Sequence, residues 1–197
     1  NKPEIGTLII QSYEIIKTFT ENINNNSKAN TLIHLHFDPH GEITQCKFSI
    51  NTLLPLQMGN IYKVFHSFIS ELNKGNFRFP KSNNNIDYYS EHNLKNDHFS
   101  LWIRKGDKTI LPYKDLIYYL RNLQFIQSDI DEIIMLVLVI LHLLTLQIIF
   151  NDSNKGTINH SGQQDIRIIC SIIDSKDINE KILSEFLLSN PSSKDVL

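Results

Sequence analysis

Residues 31–50 read TLIHLHFDPHGEITQCKFSI, and this stretch decides the predicted fold class. Apolar and polar residues alternate on both sides of the segment Asp38-Pro39-His40-Gly41, whose residue types favour a turn. Because alternation with a period of two is typical of strands that are buried on one face, the stretch predicts an antiparallel hairpin.

The register of this hairpin is expected to follow from the length of its turn. A four-residue loop places Ile33 opposite Cys46 and Leu35 opposite Thr44. Four side chains then share the face that we expect to pack on the core: Ile33, Leu35, Cys46 and Phe48.

Other elements follow from hydrophobic periodicity. Helices are predicted at 3–23, 53–73, 112–123, 133–150 and 177–190, a second hairpin at 98–111, and a strand at 166–173, where nearly every residue is apolar. We predict a single α+β domain over 1–197. Its antiparallel sheet comprises the two hairpins and the C-terminal strand, packed with about five helices. A long polar loop is predicted at 76–97 and a flexible tail at 190–197.

The longest apolar run covers residues 133–150, with His142, Thr145 and Gln147 as its only polar side chains. Its length is at the lower limit for a membrane span, but no cluster of cations lies on either side to anchor it in a membrane. We therefore expect a long buried helix, with a membrane-associated segment as the alternative.

Composition excludes two classes of protein. The net charge of −2 excludes a strongly basic nucleic-acid binder, and 41% hydrophobic against 20% charged residues excludes a disordered chain. The two cysteines, Cys46 and Cys170, show no disulfide pattern. We expect a cytoplasmic protein with no nucleic-acid partner and only indirect contact with membranes.

One stretch could supply metal ligands. His34 and His36 alternate on the first predicted strand, so their imidazoles lie about 7 Å apart on the face opposite the core. Asp38 or His40 could add a third ligand from the turn, and such a set suits zinc or iron. A metal-dependent hydrolase that uses these residues is the alternative function, although an exposed polar face explains the histidines more simply.

Other reactive groups are scarce. A thiol on the core face is not expected to be a nucleophile, and the predicted register points Cys46 away from both histidines. His142 is expected to be buried and bonded to a carbonyl or a hydroxyl, with proton transfer as the less favoured alternative. Phosphate-binding, serine-hydrolase and zinc-protease motifs are absent from the sequence. We expect no catalytic residue, no bound metal and no cofactor.

Aromatic side chains in the polar loop and the second hairpin form the predicted partner-binding surface. Aromatic residues and arginine are common anchors of protein interfaces. The expected contact residues are Phe77, Phe79, Tyr88, Tyr89, Trp102 and Arg104. A position of Trp102 inside the domain is the alternative.

The order of these elements resembles that of the small chaperones and adaptors of bacterial specialised secretion systems, in particular the adaptors of the Dot/Icm type IV system. The resemblance covers the order of elements over residues 3–150, so no site residue is carried over from it. It implies a non-enzymatic adaptor without a cofactor. Such a protein would bind a helical or extended segment of a protein partner, such as a coupling-protein tail or a secreted effector.

Overall fold

The computed structural model describes residues 4–21, 30–51, 62–72, 110–146, 148–150, 156–173 and 177–189. Within these ranges the chain forms six helices and two antiparallel sheets of two strands each, which confirms the predicted α+β class. The helices are α1 (Ile5–Thr20), α2 (Lys63–Leu72), α3 (Tyr113–Asn122), α4 (Gln127–Thr145), α5 (His160–Ile173) and α6 (Glu180–Ser189). The strands are β1 (Asn30–Phe37), β2 (Ile43–Asn51), β3 (Ile148–Phe150) and β4 (Gly156–Ile158).

The chain divides into two compact units. The first comprises Asn1–Asn76 and Trp102–Ile130, and the second comprises Phe77–Leu101 and Asp131–Leu197. The expected single domain over 1–197 remains a prediction. The predicted loop at 76–97, the predicted tail at 190–197 and all but the last two residues of the predicted hairpin at 98–111 lie outside the described residues.

The hairpin predicted at 31–50 is present in the first unit as β1 and β2, but its register differs. Ile33 pairs with Phe48 and Leu35 pairs with Cys46. The predicted pairings of Ile33 with Cys46 and of Leu35 with Thr44 are therefore wrong.

The turn explains this difference in register. Asp38 Oδ1 accepts hydrogen bonds from the backbone N–H groups of His40 (2.8 Å) and Glu42 (2.9 Å), which draws Glu42 into the turn. Gly41 has a φ of +85°, a left-handed conformation that glycine adopts readily. A β-bulge between residues 36 and 37 then shifts the register by one further residue. Because the total shift is two residues, the predicted distribution of side chains between the two faces is retained.

The core of the first unit forms where α1, α2 and α3 pack on one another. The buried apolar side chains of α2 and α3 are Val64, Phe65, Phe68, Ile69, Leu116 and Leu120. The ring of Phe68 meets that of Tyr113 edge-on, with 5.0 Å between centroids. Gln11 of α1 is also buried, and its Oε1 accepts a hydrogen bond from Asn122 Nδ2 at 3.2 Å.

In the second unit, residues 166–173 form the C-terminal part of α5, so the predicted strand there is wrong. Asn159 Oδ1 accepts a hydrogen bond from the N–H of Gly162 at 2.7 Å and thereby caps the helix. Ile166 and Ile169 are buried three residues apart, and Arg167 between them is exposed. A short apolar run is compatible with a buried helix or a buried strand, so periodicity alone could not separate the two.

The apolar run predicted as one helix over 133–150 is divided between two elements. α4 ends at Thr145, and β3 follows and pairs with β4. One side of α4 is buried through Ile134, Val137, Leu138 and Leu141, but Leu136 on another side is 61% exposed. The prediction of a long buried helix is therefore correct for one side only. Among the described helices, none combines the length and the apolar character needed to cross a membrane.

Of the described helices, α6 is the least covered. Asn179 Oδ1 caps it by accepting a hydrogen bond from the N–H of Ile182 at 3.0 Å. None of its residues is fully buried, and Phe186 is 62% exposed. The helical spacing of the apolar residues predicts a buried stripe on this helix that comprises Ile178, Ile182, Leu183, Phe186 and Leu187. This prediction is wrong at Ile182 and Phe186, both of which are exposed.

Candidate functional site

Large apolar side chains are exposed on the β1–β2 hairpin. Leu32 and Phe37 are 60% and 58% exposed, and Ile33 and Leu35 are 37% and 39% exposed. Ile33 and Leu35 lie on the face that the sequence assigned to the core, so that face is only partly covered. A two-stranded hairpin is marginally stable in water at best, and contiguous exposed apolar side chains commonly mark a binding surface.

The outer edge of β1 is the second feature of this hairpin. In the described part of the chain β1 pairs with β2 alone, and every side chain from residue 32 to residue 37 is exposed. Alternate residues of such a strand direct their backbone N–H and C=O groups away from the neighbouring strand. Natural edges are usually protected by lysine, proline or a bulge. β1 contains neither residue type, and the one bulge of the hairpin places its extra residue, Thr44, on β2 at the turn end.

The opposite edge is protected better. β2 carries Lys47, and the hairpin contacts α1 through β2. The outer edge of β1, with the apolar side chains beside it, is therefore the part of the hairpin most suited to pair with another extended chain.

The second face of the hairpin carries basic groups and no acidic group. Its cross-strand pairs are Leu32–Ser49, His34–Lys47 and His36–Gln45, and both imidazoles and the lysine are exposed. The chain as a whole has a net charge of −2. The formal charge of this face is therefore positive, whereas the net charge of the whole chain is negative.

The four candidate metal ligands are all described, and the described residues do not gather them into a metal site. No group of three or more histidine, cysteine, aspartate or glutamate side chains in the described ranges is arranged to hold an ion. The Asp38 carboxylate instead accepts the hydrogen bonds of the turn from the backbone of His40 and Glu42. His34 and His36 lie on the exposed face of β1, with Lys47 and Gln45 opposite them.

A buried histidine–carboxylate pair is the feature that sequence reasoning missed. His142 Nδ1 of α4 lies 2.8 Å from Asp165 Oδ1 of α5, and the two residues are 0% and 1% exposed. The prediction named a carbonyl or a hydroxyl as the partner of His142, whereas the partner found here is a carboxylate. Asp165 lies on the same side of α5 as Ile169, and a carboxylate on an apolar helix side would have indicated a buried partner.

A histidine bonded to a carboxylate can act as a general base, but this pair is not accessible to a substrate. A catalytic imidazole must come within hydrogen-bond reach of a substrate, and neither residue is open to solvent. The pair therefore has a structural role in the second unit.

The thiol of Cys170 lacks the character of a nucleophile. Burial raises the pKa of the Cys170 thiol above its usual value of 9.0, and the nearby Glu180 carboxylate raises it further. The thiol is therefore protonated at neutral pH, and the thiol form is a poor nucleophile. Cys46 lies on the partly covered face of the hairpin, paired with Leu35, and both cysteines are free.

The predicted partner-binding residues lie outside the described residues. They are Phe77, Phe79, Tyr88, Tyr89, Trp102 and Arg104. Their role remains a prediction, and the β1–β2 hairpin is an exposed apolar surface within the described ranges.

Comparisons with known proteins add no family to this description. A scan against protein-family models and a search of curated proteins both gave no match.

Proposed function

We propose that the protein is a non-enzymatic adaptor that captures an extended segment of a partner protein by adding it as a third strand to the outer edge of β1. The observation that carries the proposal is the exposed β1 strand, with apolar side chains on it and no lysine, proline or central bulge to protect its edge. Strand addition satisfies the outward N–H and C=O groups of such an edge.

The energetics of the hairpin favour a third strand. Backbone hydrogen bonds along the edge would supply affinity, and side chains on alternate positions would supply specificity. A strand laid beside β1 would also cover part of Ile33 and Leu35, which are more than one third exposed. Burial of apolar area stabilises such a complex by about 25 cal/mol per Å².

The setting of this adaptor is proposed from the order of its elements. α1, the β1–β2 hairpin and α2 follow one another as in the adaptors that the sequence resembles. We place the protein in the cytoplasm, in a bacterial type IV secretion coupling complex. The captured segment would then belong to a coupling-protein tail or to a secreted effector.

Site-specific photocrosslinking tests the proposal. A benzophenone amino acid replaces Leu32 on β1 in one variant and Phe186 on α6 in a control, because these apolar side chains are 60% and 62% exposed. We expect irradiation of cells that contain the natural partners to attach one discrete protein to position 32 and not to position 186. Mass spectrometry of the crosslink then identifies the attached segment.

The decisive step uses that segment as a synthetic peptide. It should bind the wild-type protein and the Phe186→Lys variant equally, and it should bind the Leu35→Lys variant at least about tenfold more weakly, because a charge would be buried beside the added strand. Equal binding to all three proteins, or equal crosslinking at positions 32 and 186, would overturn the proposal.

A further inference from the structure

We infer that the segment bound along β1 carries acidic side chains at alternate positions, with apolar side chains between them. The inference rests on the proposed adaptor function and specifies the chemistry of the ligand. It follows from the pairing register of β1 and β2 and from the side chains on the two faces of the hairpin.

The register of the hairpin determines which ligand side chains lie beside which residues of β1. A strand added beside β1 places side chains about 5 Å from those of β1 on each face, and side chains on one face recur at every second residue. Two consecutive ligand positions on the polar face would therefore lie beside His34 and His36. The intervening positions would lie beside Ile33 and Leu35 on the other face.

The groups on the polar face determine the charge expected of the ligand's side chains. His34 and His36 are exposed on β1, and Lys47 lies directly opposite His34 on β2. A neighbouring carboxylate accepts hydrogen bonds from an imidazole N–H and is attracted to a nearby ammonium group. A basic side chain at the same position would find no carboxylate among the residues of the three cross-strand pairs, and the Lys47 ammonium would repel it.

A helical partner fits this site less well. A helix satisfies its own backbone groups and presents side chains with a period of 3.6 residues, so it uses neither the open edge nor the two-residue spacing of the histidines.

A second copy of this chain is also disfavoured. If β1 paired with β1 of another copy and the apolar residues stayed on one face, the imidazoles of the two copies would meet on the other face. Two rows of imidazoles offer each other no carboxylate acceptor, whereas an acidic segment does, so the acidic segment is the better occupant.

Synthetic peptides of defined pattern test the inference. Three of the probes are fluorescent nine-residue peptides in which Val alternates with Glu, with Gln or with Lys. The fourth probe has the same composition as the Glu peptide, but its Val residues recur at helical spacing. Binding is measured by anisotropy at low salt, because salt screens contacts between exposed charges. We expect the alternating Glu peptide to bind about tenfold tighter than the Gln peptide, since each opposite-charge contact contributes roughly threefold. The Lys peptide and the rearranged peptide should bind more weakly still.

Charge reversal gives the matched control. His34→Glu combined with His36→Glu should weaken the Glu peptide about tenfold and strengthen the Lys peptide by a similar factor. Gln45→Glu combined with Ser49→Glu adds the same charge to the same face of β2, one strand further from the ligand. The control pair should change affinity by less than about threefold, because solvent and salt screen the longer distance.

Hydrogen exchange then separates the inference from the proposal on which it rests. If the Gln or Lys peptide protects amides 32–36 as well as the Glu peptide does, the acidic pattern is overturned and strand capture at β1 stands. If no peptide protects these amides although position 32 crosslinks to a partner, the acidic pattern is again overturned and the adaptor function stands. Protection without any peptide, together with dimers in sedimentation, would overturn both the acidic ligand and the adaptor.

Discussion

His142 and Asp165 form a closed contact within the second unit: Nδ1 lies 2.8 Å from Oδ1, and the side chains are 1% and 2% exposed. The two residues come from different helices, α4 and α5, and are 23 positions apart in the chain. A polar group buried at such a contact costs free energy if its partner is removed. The pair therefore ties α5 to α4 in one arrangement.

The Asp165→Ala variant should lose about 3 kcal/mol of unfolding free energy, because it leaves the buried imidazole without its carboxylate partner. Urea unfolding followed by circular dichroism measures this loss. Arg167→Ala is the control on the same helix, since its ion pair with Glu180 is 3.2 Å long and about half exposed on both sides. It should cost less than about 1 kcal/mol. A loss at Asp165 no larger than that at Arg167 would contradict the structural role.

The faces of the first hairpin could be predicted from sequence because they depend only on a period of two. Ile33 and Leu35 do share a face with Cys46 and Phe48, although the pairing differs by two residues. The register itself could not be predicted. It depends on Asp38 accepting hydrogen bonds from two backbone groups and on a bulge, and neither has a unique sequence signal.

The buried pair could not be predicted for a related reason. Residues 166–173 have an apolar pattern that suits a strand as well as a buried helix, and only the helix brings Asp165 to His142. The exposure of β1 could not be predicted either. Alternation indicates which residues share a face but not whether another element covers that face.

A second ion pair, in the first unit, should have a large effect on stability. Lys63 Nζ lies 2.7 Å from Glu21 Oε2, with side chains 9% and 16% exposed, and the backbone N–H of Lys63 also donates to the Glu21 carbonyl. Lys63→Met should lower the unfolding free energy by about 3 kcal/mol, because the nearly buried carboxylate loses its partner. Chemical denaturation gives the value.

The exposed pair of α6 supplies the control for this prediction. Lys181 Nζ lies 3.9 Å from Glu185 Oε1, with side chains 83% and 67% exposed, so Lys181→Met should change stability by less than about 1 kcal/mol. Adding Glu21→Gln to Lys63→Met should restore part of the loss, because it removes the uncompensated charge. A double variant that is less stable than Lys63→Met alone would refute this account.

The Cys170 thiol should make stability fall in alkaline solution. Burial, and then the Glu180 carboxylate, raise its pKa in the folded protein above the usual 9.0. Below pH 9.0 both states keep the proton, so the contribution is fully present there. As the pH rises further, the unfolded chain releases its proton first, and the unfolding free energy falls until the folded-state pKa is passed.

Unfolding measured at about pH 8 and about pH 10 tests this sign. The fall should be smaller in Cys170→Ser, which removes the ionisable group, and Glu180→Gln should speed alkylation of Cys170 by lowering its pKa. Glu185→Gln on the same helix is the control and should leave alkylation unchanged. An alkaline fall of equal size in wild type and Cys170→Ser would show that the thiol does not carry it.

Gln124 ends α3 in a conformation that glycine usually adopts. Its φ is 67°, its N–H donates to the Arg121 carbonyl at 3.0 Å, and the N–H of Phe125 donates to the Leu120 carbonyl at 3.1 Å. These two bonds close the helix end in the manner of a Schellman motif. Gln124→Gly should stabilise the protein by about 0.5 kcal/mol. Relief of left-handed strain gains roughly 1 to 2 kcal/mol, and the added freedom of the unfolded chain costs up to about 1 kcal/mol.

A substitution at Gly41 tests the same left-handed backbone strain in the opposite direction, because it adds a Cβ instead of removing one. Its φ is +85° and a Cβ there would meet nothing within 4 Å, so Gly41→Ala adds backbone strain without a clash. This variant should lose about 1 kcal/mol, and Gln124→Ala, which keeps a Cβ at the helix end, should be nearly neutral. Thermal and urea unfolding of the three variants compare the signs directly. If Gln124→Gly destabilises as much as Gly41→Ala, the hydrogen bonds of the helix end do not hold residue 124 in the left-handed region in solution.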